Sequence, residues 1–415
     1  MNCPHNFSRR SFLTGLAASA AVSASAASAG GAQARPADAE ARGSSAEPHD
    51  GGGYEFHGEH QQGIATLPQK YCEVLALDIQ STGKGQQELE DLLKTITDRA
   101  RFLTVGGTTP PDGIAFPAND SGDLGPVLPT DNLTVTLGVG ESLFDDRFGL
   151  LSKKPAHLLK MEAFEDDTLD SDLCHGDLLL QLCADQHDTV LHASRDILRH
   201  TRGAAAVRWR QTGYMNEPRP SGTQRNHFGF KDGIVNPAEE DFNSLVWAGS
   251  DEPEWATGGS YMVVRLIAMY TEFWDRISMA EQEQIFGRTR ATGGPLSGGD
   301  EYAGPNYLDD AAGDVIPVDA HIRLANPRTP ETANQLMLRR PYNYDNGVRD
   351  NGTVGVGQIF ISFQQDLERQ FITVQERLAG EPLADYIRPY GGGYFYALPG
   401  VKDESDFFGS ALIGR

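Results

Sequence analysis

Three short segments carry residue types that can do chemistry. The first is Gly229-Phe230-Lys231-Asp232-Gly233-Ile234-Val235-Asn236-Pro237. It sets a carboxylate between two glycines, ahead of a turn-forming Asn-Pro, where the backbone can come close to a bound group. An ordinary Asp-Gly turn explains the same residues. The second is Asp319-Ala320-His321-Ile322-Arg323-Leu324-Ala325-Asn326-Pro327-Arg328. A histidine among apolar neighbours is either a satisfied core side chain or an axial ligand to iron. The third is Met337-Leu338-Arg339-Arg340-Pro341-Tyr342. Successive residues of a strand point to opposite faces, so the two guanidinium groups must part company. One of them can then face an interior cavity, where it needs an anionic partner or ligand. The alternative is a pair of surface arginines serving a very acidic chain.

Other chemistries lack their signatures. There is no Gly-x-x-x-x-Gly-Lys-Ser/Thr phosphate loop, no His-Glu-x-x-His zinc helix and no Gly-x-Ser-x-Gly nucleophile elbow. The absence of Cys-x-x-Cys-His excludes covalent c-type haem attachment, and no Cys-x-x-Cys redox pair is present. With 35 basic against 58 acidic residues and a net charge of −23, the chain is a poor fit to nucleic acid or to an anionic lipid surface. Its 415 residues, 39% hydrophobic and 22% charged, suit two domains with sizeable cores. Four cysteines are too few for a disulfide-stapled scaffold.

The N-terminus reads as an address. Arg9 and Arg10 precede an uncharged Ala-, Ser- and Gly-rich stretch that runs from Ser11 to Ala34 and ends in Ala32-Gln33-Ala34. This is similar to a twin-arginine (Tat) export signal over residues 1–34, cleaved at the small residues. Alanine, serine and glycine supply too little transfer energy for a stable membrane anchor. The signal holds two arginines and no acids, so its removal leaves a charge of −25. Cys3 leaves with it, and Cys72, Cys174 and Cys183 remain, which read as small buried hydrophobes. Residues 35–63, rich in Ala, Gly, Pro, His and acids, read as a flexible linker with solvated histidines at His49, His57 and His60.

The elements that must position the three segments recur in one order. Strands are expected over 71–79, 134–139, 177–183 and 204–209, with helices over 86–103 and 189–201 between them. A second set follows: strands over 260–269, 337–344, 358–363 and 393–398, helices over 271–286 and 366–378. Each half reads β-α-β-β-α-β, so the fold class is α+β, with two tandem ferredoxin-like modules over 64–220 and 221–415. Their antiparallel sheets are expected to pack together with helices outside, and the second module carries the three segments.

Taken together, Gly229-x-x-Asp232-Gly233, the His321 segment and the Arg339-Arg340 pair resemble the dye-decolourising (DyP-type) haem peroxidases, closest to the exported deferrochelatase/peroxidase branch. Gly58 to Ile64, Gly176 to Gln181 and Gly391 to Val401 are also similar to that family. The resemblance implies two ferredoxin-like modules and one non-covalent haem b per chain, with His321 as the proximal iron ligand. It implies Asp232 and Arg339 as catalytic residues on the distal face. Further haem contacts carry over to Gly233, Ile234, Val235, Arg288, Asn326, Pro327 and Arg328, and Arg339 also touches the cofactor. The implied reaction reduces hydrogen peroxide through a high-valent haem intermediate and oxidises organic donors of the dye or phenol type. Release of iron from haem, as a deferrochelatase, and non-catalytic haem binding are the competing readings. Export would place the protein in the periplasm or outside the cell. A homo-oligomer and iron-uptake partners are left open. Pro341 departs from relatives that often carry a small residue there; it fixes φ and removes an N–H beside Arg339.

Overall fold

The computed structural model describes residues 53–109 and 113–414. The Tat-like signal and the first part of the linker, His49 included, lie outside the described residues. Among the described residues there are nine strands: β1 (Tyr71–Ile79), β2 (Thr134–Gly140), β3 (Leu178–Ala184), β4 (Ala205–Tyr214), β5 (Ser260–Met269), β6 (Leu338–Arg339), β7 (Tyr342–Val348), β8 (Val354–Gln364) and β9 (Ile387–Ala397). The helices are α1 (Gln86–Val105), α2 (His187–His200), α3 (Phe242–Leu245), α4 (Thr271–Trp274), α5 (Met279–Phe286), α6 (His321–Ala325), α7 (Thr373–Arg377) and α8 (Ser410–Ile413).

The strands run β5-β9-β2-β3-β1-β4-β7-β8-β6, and β5 also pairs with β8. The sheet therefore closes on itself. This corrects the expectation of two separate sheets packed together: β2 pairs with β9, and Tyr214 of β4 pairs with Asn343 of β7, so the two halves share one barrel-like sheet. Closure removes free edges that would otherwise expose unpaired backbone groups.

Alternation along the strands sorts two cores. On β1, Val74 and Ala76 join Leu179, Val264, Ile361 and Phe395 in one buried cluster. Leu75 and Leu77 point the other way, to Leu89, Leu93 and Ile96 of α1 and Ile197 of α2. Every residue of β3 is buried because both of its faces are covered. Helix α1 places Leu89, Leu92, Leu93, Ile96, Ala100 and Leu103 at helical spacing on its buried side. Arg99 of α1 pairs with the nearly buried Asp196 of α2 at 2.7 Å, which ties the two outer helices together.

Four expectations change. Helix 271–286 is broken into α4 and α5, where the Ser278 hydroxyl caps α5 by accepting from the Glu281 amide at 3.2 Å. Strand 337–344 is split into β6 and β7 at Pro341, which has no amide to give to a ladder. Helix 366–378 opens as a π-helix over Leu367–Ile372 before α7. Residues 53–63 are not a solvated linker but pack on the sheet. His60 stacks on Trp247 with ring centroids 3.7 Å apart, and Arg101 donates to His57 at 3.2 Å.

The best-anchored residue of that segment is Gln61. Its buried carboxamide donates to Leu137 O and Leu398 O, both at 2.8 Å, and accepts from Leu137 N at 2.7 Å. It thus stitches β2 to the chain leaving β9. Replacing it by leucine (Gln61→Leu) strands those backbone groups and is expected to cost about 2 kcal/mol. A shift of the urea midpoint by the matching amount checks this, and an unshifted midpoint would show that the stitch contributes nothing.

Candidate functional site: a cationic cavity between a histidine and an Asp-Arg pair

A cavity of about 260 Å³ lies against β5 and β8, α5, α6, α7 and the loop that carries Asp232. The three segments singled out in the sequence meet in it: Asp232, His321 and Arg339 all line its wall.

His321 is the first residue of α6. Its ring is set by three contacts. Nδ1 donates to the Glu381 carboxylate, with oxygens at 2.8 and 3.0 Å. Phe286, at the end of α5, meets the ring edge-on at a centroid distance of 6.0 Å. Gly287 ends α5 at φ 79°, and a Cβ there would lie 2.8 Å from Ile322 and 3.2 Å from Ala320, so only glycine lets α5 approach the His321 turn so closely. Burial pushes the imidazole pKa down, but the Glu381 charge and hydrogen bond outweigh it and leave the pKa above the ordinary histidine value. The second ring nitrogen has no hydrogen-bond partner among the described residues.

Asp232 and Arg339 form the other cluster. Asp232 Oδ1 accepts from the Gly233 amide at 2.7 Å, and Oδ2 accepts from the Gln358 carboxamide of β8. Arg339 Nη1 lies 3.8 Å from Asp232 Oδ1, and Nη2 donates to Val235 O at 2.9 Å. The backbone of Arg339 is clamped by one side chain, because Asn236 accepts from its amide at 3.0 Å and donates to its carbonyl at 3.1 Å. Arg340 turns to the opposite face, as alternation requires, and is 2% exposed. Neither arginine is the surface group that the acidic composition allowed. The Asp-Gly motif is equally not a plain turn. Gly229 has φ 84° and runs 2.7 Å from Arg290 when a Cβ is placed on it, so the loop is pinned where Asp232 leaves it.

The cavity is cationic in an acidic protein. Lys231, Arg265, Arg288, Arg328 and Arg339 line it, against the carboxylates of Asp232 and Glu381. Lys231 is matched by Glu301 and Arg265 by Asp167. Among the described residues the Arg288 side chain donates to the Gly293 and Glu301 carbonyls alone, and burial together with the charge of Arg328 lowers its pKa to about 10. Arg328 stands at φ 58°, a left-handed conformation that costs a non-glycine residue on the order of 1 kcal/mol. Asn326 holds it there by accepting from the Arg328 amide at 3.1 Å. Between these arginines the Tyr307 hydroxyl is buried without a hydrogen-bond partner, and burial raises its pKa to about 12 against the pull of Arg328 and Arg288.

Of the other expected contacts, Gly233, Ile234, Val235, Arg288, Asn326 and Arg328 line the cavity, whereas Pro327 does not. Pro327 lies between Asn326 and Arg328, and the cavity takes the two side chains that flank it. Four residues of the site escaped the sequence reading as functional groups. Glu381 sits sixty positions from His321 with nothing local to mark it. Tyr307 lies in a Gly- and Pro-rich stretch. Asn236 passed as a turn residue. Gln358 had one signal, a polar side chain inside an otherwise apolar strand.

The family model described as Dyp-type peroxidase, N-terminal, matches residues 61–215, and that described as Dyp-type peroxidase, C-terminal, matches residues 223–402. The chain is 49% identical over 368 residues to the Deferrochelatase of Escherichia coli (strain K12), covering 86% of each. It is 47% identical over 367 residues to the Deferrochelatase of Yersinia pestis bv. Antiqua (strain Nepal516), covering 86% of this chain and 84% of that one. Among solved structures, a DyP-type peroxidase from Cellulomonas bogoriensis superposes with TM-score 0.79 at 36% identity, over 88% of this chain and 99% of that chain. Ferric DtpA from Streptomyces lividans gives 0.78 at 34% identity, over 88% and 97%.

The His321–Glu381 pair makes a signed prediction for the ligand-free protein. A histidine pKa raised on folding adds stability that is fully present below the unfolded value of about 6.5 and is lost as pH rises through the folded value. Glu381→Gln removes the charge that raises it. The variant is therefore expected to lose more urea stability relative to wild type near pH 5.5 than near pH 8.5. An equal loss at both pH values would place the effect of Glu381 elsewhere.

Proposed function

The chain belongs to the Dyp-type peroxidase family, and from that premise we propose that His321, Asp232 and Arg339 serve the reduction of hydrogen peroxide at one non-covalent b-type haem per chain. It is an enzyme, a haem peroxidase. The observation that carries the residue assignment is the pairing of Asp232 and Arg339 in the same cavity as a histidine whose Nδ1 is committed to Glu381.

The cavity fits such a cofactor on three counts. With Nδ1 bonded to a carboxylate, the other nitrogen of His321 is the one free to bind iron, and the bond makes it a more basic ligand. Arg288, Arg328 and the unpaired Tyr307 hydroxyl offer cations and a donor to carboxylates, which a haem carries as propionates. Ile234, Val235, Phe286, Ile322, Met337 and Leu378 add apolar wall suited to a porphyrin ring.

When bound, the haem supplies an iron that takes up peroxide and accepts and returns electrons. Asp232 would hold and move the proton: as a carboxylate it can accept one from peroxide and, as the acid, return it to the leaving oxygen. The Gly233 amide and Gln358 fix the carboxylate so that little reorientation is needed. Arg339 sets a permanent positive charge beside the departing oxygen, and its bonds to Val235 and Asn236 hold it there. The bound haem would exchange those electrons singly with organic donors of the dye or phenol type. A carrier that merely held haem would gain nothing from an acid and a guanidinium placed this way.

Two relatives named Deferrochelatase favour a second reading, in which haem is the substrate and its iron is released with the ring intact. Iron-chelator absorbance and free-porphyrin fluorescence from the haem-loaded protein distinguish it. Tat export to the periplasm or the exterior is proposed on Arg9-Arg10 and Ala32-Gln33-Ala34. Each half of the sheet is also read as one ferredoxin-like module, supported by the strand orders β4-β1-β3-β2 and β9-β5-β8-β7.

His321→Ala is expected to abolish or weaken haem binding, read from the Soret absorption of reconstituted protein. Arg339→Leu is expected to keep haem and to lose at least about a hundred-fold in the rate of reaction with peroxide. Asp232→Asn is expected to behave similarly, by about a hundred-fold. Normal turnover by Arg339→Leu would overturn its assignment.

A further inference from the structure

On the face of β6 opposite to Arg339, a second cluster plays no part in the chemistry above. Strands β1 and β3 are antiparallel neighbours, and Cys72 lies directly across from Cys183 in their register. Directly opposed residues present their side chains to the same face, with Cβ atoms about 4.5 to 5.5 Å apart. A disulfide needs about 3.5 to 4.5 Å, so a small local closure suffices. Both cysteines are buried and free, at 1% and 0% exposure. Cys174, the remaining described cysteine, is buried but has no thiol across from it.

The surroundings favour one of the two as the nucleophile. Tyr342 donates its hydroxyl to the Cys183 sulfur at 3.5 Å. Arg340 reaches the same place from β6: its Nη atoms donate to the Thr66 carbonyl and to Gln69, and its Nε is buried without a partner. No carboxylate forms an ion pair with Arg340 among the described residues, and the titratable groups near it include Tyr342, Cys183, Cys72 and Tyr54. A buried cation lacking an acid is stabilised by a thiolate. In keeping with this, burial raises both thiols, but for Cys183 the hydrogen bond from Cys72, the Arg340 charge and the Tyr342 hydroxyl win and hold it below the ordinary value, while Cys72 stays above it.

We propose that Cys72 and Cys183 are a redox-active thiol pair, which hydrogen peroxide closes into a cross-strand disulfide with Cys183 attacking first. In the first step the Cys183 thiolate attacks one peroxide oxygen; an S–O bond forms, the O–O bond breaks, and the departing hydroxide takes a proton to become water. In the second step the Cys72 sulfur attacks that of Cys183; the S–S bond forms, the S–O bond breaks, and the Cys72 proton leaves with the hydroxide as water. Two thiols and one peroxide give one disulfide and two waters. Each sulfur loses one electron and the peroxide gains two. The site is distinct from the haem cavity and needs no electron from it.

The test uses the purified holoenzyme, with Cys174 as the internal reference. Protein is treated with a few equivalents of hydrogen peroxide, quenched with catalase, denatured and alkylated with N-ethylmaleimide. Mass spectrometry is expected to show Cys72 and Cys183 losing alkylation together, with a linked peptide pair, while Cys174 stays alkylated. Retention of both thiols, or their loss no faster than that of Cys174, overturns the proposal, and this arm needs no variant that might fold poorly. In Cys72→Ser, dimedone is expected to trap a sulfenic acid at Cys183; in Cys183→Ser, the adduct at Cys72 should form at least about ten-fold more slowly. Equal rates overturn the order of attack.

Discussion

Glu381 accepts a hydrogen bond from Nδ1 of His321 at 2.8 Å, across sixty residues of chain, and much of the site follows from it. The bond fixes the imidazole's orientation and tautomer and leaves its other nitrogen uncommitted, as the proposed iron ligand requires. It needs α6 to begin at His321, α5 to end in a glycine close beneath it, and the turn that carries Glu381 to come up against both. The aromatic cluster of Phe228, Phe230, Trp274 and Phe286 provides the packed floor for that meeting. A carboxylate buried at this depth would be costly alone; the imidazole and the nearby cations make it tolerable.

The opposite requirement governs the rest of the wall. Cations exceed carboxylates there although the whole chain has a net charge of −23. Burial, reinforced by the charge of Arg328, lowers the pKa of Arg288 to about 10, and Tyr307 keeps a hydroxyl without a partner among the described residues. Such an arrangement is unfavourable in an empty protein and becomes favourable with an anionic occupant. The excess of acid elsewhere sets no rule for the interior, because local pairing rather than total charge decides the energy of a buried group.

One dipeptide serves two places. Arg339 and Arg340 are adjacent, and the pleat sends one to the cavity and the other into the closed sheet, beside the thiols of Cys72 and Cys183. Pro341 then interrupts the ladder between β6 and β7, and it does so without loosening Arg339. The reason is that Arg339 is secured from the other side, by the two hydrogen bonds of Asn236 to its backbone. The proline is thus absorbed by contacts of the residue two positions before it.

The chain's local pattern was enough to set the strands β1 and β5 to the residue and the buried face of α1, since apolar periodicity is written in consecutive positions. Motif spacing was enough to nominate Asp232, His321 and Arg339, because each sits in a short segment whose neighbours mark it. Local pattern failed where a neighbour outside the segment decides the outcome. Ser278 breaks a helix that periodicity would continue, and Gln61 orders a segment whose composition reads as a linker. The partners that define the site, Glu381 for His321, Gln358 for Asp232 and Asn236 for Arg339, were settled only by tertiary structure. A hydrogen bond between groups 60 to 126 residues apart leaves no trace in either segment; it exists only once the sheet has closed and brought them within 3.1 Å.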